Sequence, residues 1–336
     1  MKRSLVVVAG GISVAAMATA VVVVAAPLLI YAATLALFGF AHVVVELRYV
    51  RDRFGPRLPT RCFVVWGALL LALVALRSLG VAAVALPFPR VAAELVVLAA
   101  LLVATGFVIA RERRVAGVLA AAALALLLFV VHPAATLAFL AFAHNLTPLG
   151  FIAERWRGAA RVRALLLAGV AFVVVPCWIG LGGAEPMLLL LAQFGAPIVA
   201  SASGAFLGIG ATVEHYGAFL PAEWHEASFA PRVFAVAVYL QCAHYFVVLH
   251  GLPRMAAPET RATPEALIVR AGRTRLVARI ALAGAVVIAA ALLVRFAQSF
   301  FEARALYGIA AAVHAFIEWP LFLAVALGAA REPVPA

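Results

Sequence analysis

The sequence predicts an all-α integral membrane protein: a polytopic transmembrane helix bundle of about ten spans plus one re-entrant or broken segment. Two observations carry this. Hydrophobic residues fill 67% of the 336 positions and charged residues 12%, which leaves too few polar groups to cover a water-soluble globule of this size. Apolar runs also recur along the whole chain, each close to the ~20 residues that cross the hydrocarbon core of a bilayer. With no water in that core to satisfy an open backbone, the runs are read as helices, and residues 1–336 as a single integral membrane domain.

Spans are expected near Leu5 to Ala25, Pro27 to Val45, Cys62 to Leu79, Val91 to Ala110, Val115 to Val131, Ala134 to Ile152 and Ala164 to Leu181. Three more follow, near Val233 to Leu252, Leu276 to Val294 and Ala305 to Leu327. The start, Met1-Lys2-Arg3 before an apolar stretch with Ala-Thr-Ala at 18–20, has features of a signal peptide. The apolar run continues past Pro27 without a polar cleavage region, so an uncleaved first span is expected.

The arginines test this layout. They cluster at Arg48 to Arg61, Arg111 to Arg114, Arg155 to Arg163 and Arg254 to Arg275, and the positive-inside rule places all four clusters and both termini in the cytoplasm. That in turn requires residues 186–211 to cross an even number of times or not at all. Gly195, Pro197, Gly204, Gly208 and Gly210 interrupt this segment, as expected of a broken or re-entrant element. The stretch after it, with Tyr216, Phe219 and Trp224, is expected at the outer surface.

The net charge of +12 lies in these inter-span clusters rather than along one face or tail. It therefore reports topology, not nucleic-acid binding. Cys62, Cys177 and Cys242 are far apart and lack metal-ligand spacing, so they read as packing residues. There is no phosphate-binding Gly-rich loop, G-x-S-x-G elbow, H-E-x-x-H or C-x-x-C, which disfavours nucleotide hydrolysis and zinc proteolysis.

Ionisable groups inside spans are costly and each is a functional hypothesis by default. Four histidines stand out: His42, His144, His244 and His314. Counted back from Arg48, Glu154 and Arg254, which follow them by six, ten and ten residues, His42, His144 and His244 lie about 9 to 15 Å from the cytoplasmic edge at 1.5 Å per residue. By the same count His314, seventeen residues before Arg331, is deeper. His42 is followed by Glu46 and His314 by Glu318 at i+4, which puts imidazole and carboxylate on one helix face. Such a pair can ligate a metal jointly, or the carboxylate can accept the second ring proton and fix the ligating tautomer. Imidazole with carboxylate suits iron, zinc or manganese, and histidines with open positions suit ferrous iron activating oxygen.

A lone histidine in an apolar helix is commonly a packing residue; four of them, two in H-x3-E, favour a metal site. Around them, Asn145 and Thr147 either hydrogen-bond a ligand or cap the break before Pro148. Gln241 and Tyr245 flank His244 as supporting groups, Tyr245 equally as an interface aromatic, and His250 is either a supporting or a surface residue. His215 and His225, beside Glu214 and Glu226, are a weaker outer candidate, and Arg77 and Glu94 are expected to pair with each other.

Taken in order, the segments AHVVVEL at His42, FAHNLTP at His144, CAHYFVVLH at His244 and GIAAAVHAFIEWP at His314 resemble those of the bacterial membrane-embedded beta-carotene dioxygenases of the Brp/Blh group. The chain departs from that pattern in Glu46, where the family favours Asp, in Asn145 and Pro148 after the second histidine, and in the spacing of six between His244 and His250. The resemblance implies non-haem Fe2+ held by histidines; the residues alone leave Zn2+ or haem as alternatives. It also implies an apolar, carotenoid-like substrate reached through the bilayer, cleavage with O2, and residence in a bacterial-type inner membrane. On this reading Glu46 and Glu318 belong to the catalytic centre. Competing functions for the same intramembrane residues are a transporter or channel, a haem-binding membrane protein, and an accessory protein whose histidines only bridge helices.

Overall fold

The structure is a computed structural model that describes residues 2–109, 133–193, 199–200, 206–207, 213–216, 220, 222–255, 283–284 and 286–327. The helices are α1 (Lys2–Ala25), α2 (Pro27–Phe54), α3 (Thr60–Val81), α4 (Arg90–Ile109), α5 (Pro133–Asn145) and α6 (Thr147–Arg155). They continue with α7 (Gly158–Gly180), α8 (Glu185–Gln193), α9 (Ala230–Gly251), α10 (Val286–Gln298) and α11 (Phe300–Ala326). A two-residue antiparallel ladder pairs Val199 with Leu207 and Ala200 with Phe206. It falls within the stretch expected to be irregular, after a helix of only nine residues.

Among the described residues six helices are long and apolar enough to cross a bilayer: α2, α3, α4, α7, α9 and α11. The expected count of about ten is not supported. The span near Val115 to Val131 lies outside the described residues, as does the start of the one near Leu276 to Val294, whose described part includes the short helix α10. The span near Ala134 to Ile152 is instead two helices, α5 and α6, with the break at Leu146. Pro148 is the cause: it has no N–H to give the carbonyl of His144. The Thr147 hydroxyl donates to that carbonyl instead, at 2.7 Å. Pro176 stands similarly just after a π-helical turn at Val170–Val174 within α7, where the widened turn accommodates the missing donor.

The chain divides into two compact units, 1–31 with 127–247 and 32–126 with 248–336. In the first, α9 packs on α1, α5 and the second half of α7, and α8 packs on α1. Arg232 near the start of α9 ties it to α8 through Glu185, with Nε to Oε1 at 2.8 Å.

In the second unit α3, α4 and α11 pack on one another. The Trp66 indole N–H of α3 donates to Thr105 Oγ1 of α4 at 2.8 Å, and that hydroxyl donates to the Leu101 carbonyl at 2.6 Å. Both polar groups are thereby satisfied away from water. On α3 the side chains of Trp66, Leu70 and Leu73 are buried while Val64 and Leu71 are exposed. An exposed branched aliphatic on a helix of this hydropathy has acyl chains as its natural solvent. Ser299 caps α11, its Oγ accepting the Glu302 N–H at 3.3 Å, the Ser-x-x-Glu start that satisfies an orphan first-turn donor.

Candidate functional site

In the second unit, His42 of α2 and His314 of α11 meet with Nε2 to Nε2 at 2.9 Å and ring centres 4.6 Å apart, at an interplanar angle of 81°. The Nδ1–H of His42 donates to the Phe38 carbonyl one turn back, at 3.3 Å. A carbonyl can only accept, so this bond fixes the tautomer: the His42 Nε2 presents its lone pair, and the proton between the two rings belongs to His314. His42, Glu46 and Glu318 are fully buried and His314 is 1% exposed.

Distances to the helix ends compare the two histidines directly. α2 runs on through Arg48, Arg51 and Arg53 to Phe54, and α11 ends at Ala326, well before Arg331. Measured to those ends, His42 and His314 are each twelve residues in (54 − 42 and 326 − 314).

Close helix packing brings the two rings together. Gly39 lies against Tyr307, where a Cβ would stand 2.6 Å from Tyr307 Cε2, and the Tyr307 hydroxyl donates to the Gly39 carbonyl at 3.4 Å. The Tyr307 ring meets Phe40 edge-on, with centres 6.0 Å apart. On the other side of α11, Arg77 of α3 pairs with Glu94 of α4, Nη2 to Oε2 at 2.6 Å, as the sequence suggested. Its Nη1 also donates to the Gly308 carbonyl at 2.7 Å. Neither the Gly39–Tyr307 contact nor the Gly308 bond has a signature in the sequence, because both are pairings of residues far apart in the chain.

In the first unit, His144, next to last in α5, faces His244 of α9 with ring centres 4.6 Å apart at 50°. His144 is half-buried and His244 fully buried. Asn145 Nδ2 donates to the Ala141 carbonyl at 3.0 Å, so Asn145 and Thr147 both serve the helix break. Gln241 is buried one turn before His244, its Nε2 at 3.5 Å from the Tyr31 carbonyl, and Tyr245 is buried with its ring 6.0 Å from that of His244. His250 sits in a π-helical turn, Val247–Gly251, with its side chain exposed. His225 is engaged locally, its Nε2–H donating to the Leu220 carbonyl at 3.0 Å.

The two ring separations have a chemical meaning. Imidazole nitrogens bind metal at 2.0–2.1 Å, so two of them at a right angle stand about 2.9 Å apart, against about 3.4 Å at the tetrahedral angle. Ring centres lie about 1.15 Å beyond the nitrogens, which makes about 4.5 Å at a right angle, 5.2 Å for a tetrahedron and 6.4 Å for ligands on opposite sides of one metal. Each pair, at 4.6 Å, has the spacing of adjacent ligands. Trans ligands sandwiching a haem would stand well apart from either.

No protein-family model, no curated protein and no solved structure matches this chain.

Proposed function

We propose that the chain is a metal-dependent integral membrane oxidoreductase of the oxygenase type, with His42, His144, His244 and His314 as imidazole ligands for non-haem ferrous iron. The observation that carries this reading is the pairing: in each unit, two histidines from different helices face each other at the spacing of adjacent ligands. The resemblance to the Brp/Blh dioxygenases supports iron over zinc or haem.

In this reading iron supplies the activation of O2. The chain's own residues hold and orient. The Phe38 carbonyl takes the outer proton of His42, so Glu46 has no part in fixing that tautomer and is assigned instead as an oxygen donor on the same helix face. Glu318, at the matching place on α11, is assigned the Nδ1 proton that His314 acquires when its Nε2 turns to metal. The exposed apolar helix faces support a substrate that arrives from the lipid, and the resemblance to the Brp/Blh dioxygenases supports a carotenoid-like one. The same resemblance and the arginine clusters support a bacterial-type inner membrane with both termini in the cytoplasm.

Metal analysis of detergent-purified protein with an absorption spectrum tests the proposal. About one iron per chain without a Soret band is expected, falling to background in His42→Ala and His314→Ala. Metal-free wild type, or alanine variants that keep the metal, would overturn it.

A further inference from the structure

We propose that Arg77 is a positioning residue for the His42–His314 pair, acting through α11. Its Nε and Nη2 donate to Glu94 Oε2 at 3.2 and 2.6 Å. That carboxylate is the partner a charge among apolar helices is expected to have. Arg77 does more than this: Nη1 donates to the Gly308 carbonyl of α11 at 2.7 Å, and its Cζ lies 6.0 Å from the centre of the Phe316 ring.

Gly308 and Phe316 bracket His314 in sequence, so one rigid guanidinium holds α11 at two places on either side of the histidine. The planar fork of arginine suits this, since it engages an acceptor on α4 and another on α11 at once, which a lysine ammonium cannot do from a single nitrogen in the same geometry. Gly308 is six residues before His314, about 9 Å along the helix axis. Fixing that carbonyl fixes the height and rotation at which His314 meets His42. The consequence for metal rests on the metal-site reading above; the consequence for the pair itself does not.

The test uses the full chain in detergent, labelled with 15N-histidine and free of metal. The readout is the N–H···N coupling between His42 and His314, assigned by its loss in His42→Gln and His314→Gln. Co2+ affinity is then measured on the same samples. In Arg77→Met/Glu94→Leu the buried ion pair is replaced by apolar groups, a change that commonly leaves stability equal or higher. This variant is expected to melt no earlier than wild type, to lose the coupling, and to bind Co2+ at least ~10-fold more weakly, the scale on which outer partners of metal ligands act.

Arg77→Lys, which keeps a charge for Glu94 but not both arms, is expected to weaken the coupling, and it carries the test by itself if the double variant does not fold. A folded double variant, or Arg77→Lys, with the wild-type coupling overturns the proposal. Wild type that shows the coupling but takes up no Co2+, together with loss of coupling in the double variant, sinks the metal reading and leaves the positioning role standing.

Discussion

Replacing Gly39 by alanine tests how tightly the His42–His314 pair depends on helix packing. The added Cβ would stand 2.6 Å from Tyr307 Cε2, 3.0 Å from Cζ and 3.2 Å from the hydroxyl. Carbon atoms at rest prefer about 3.5–4.0 Å, so either the Tyr307 ring or α11 must give by about 1 Å. The ring is buried and meets Phe40 edge-on, which leaves it little room. Overpacking of this kind costs about 1–3 kcal/mol, while alanine in place of glycine inside a helix returns about 1 kcal/mol.

The clash should win, giving a net loss of up to about 2 kcal/mol. Because His42 is only three residues from Gly39, a 1 Å displacement also takes the 2.9 Å Nε2 to Nε2 contact beyond hydrogen-bond range. Thermal unfolding in detergent and metal content measure the two effects, and Tyr307→Ala with Gly39→Ala/Tyr307→Ala completes a double-mutant cycle. Removing the ring should make Gly39→Ala neutral or favourable, a coupling of about 1–3 kcal/mol. An unchanged melting temperature and metal content in Gly39→Ala, or additive effects in the cycle, would refute the reasoning.

Two further outcomes are expected. Thr147→Val removes the 2.7 Å bond to the His144 carbonyl and, because Pro148 cannot replace the donor, leaves a carbonyl short of a partner. A loss of about 1–2 kcal/mol is expected on thermal unfolding, and Thr147→Ser should restore it. Tyr216, which lies outside the long apolar helices and is buried against Phe234 with ring centres 6.0 Å apart, has its phenol pushed up to about 12 by burial. Unfolded chain therefore ionises this group first as pH rises past the ordinary value of about 10. The stability it supports is intact below that pH and lost as pH climbs toward 12. The difference between wild type and Tyr216→Phe in absorbance at 295 nm should titrate near 12; a midpoint near 10 would contradict the burial argument.

Helical spans were legible because hydropathy and length act residue by residue: all six long helices coincide with expected spans. The break before Pro148 is legible too, since proline marks it, but its consequence for a residue four positions back, the His144 carbonyl that Thr147 satisfies, shows only in the structure. The H-x3-E pattern was legible because helix period alone puts residues 42 and 46, or 314 and 318, on one face. The partner of each histidine was not. Pairing depends on contacts between residues far apart in the chain, and α2 continues through the exposed Arg48 and Arg51 and the buried Arg53, so an arginine does not by itself mark the end of a helix.

That last point bears on the chemistry. α2 and α11 carry the same His and Glu, the same four residues apart and the same distance from their last turn. Their histidines touch, and contacts nearby run in the same direction on both helices, Gly39 to Tyr307 and then His42 to His314. A bridge serving only to join two helices needs one donor and one acceptor, and a histidine with a serine or backbone carbonyl would supply them at lower cost. Here each helix buries both an imidazole and a carboxylate, at a cost that partners must offset. The proposed cation would draw on both lone pairs at once and balance the buried carboxylate charge. If metal-free protein proves as stable as loaded protein, this reasoning fails at its base, because a bound cation must raise stability by its own binding free energy.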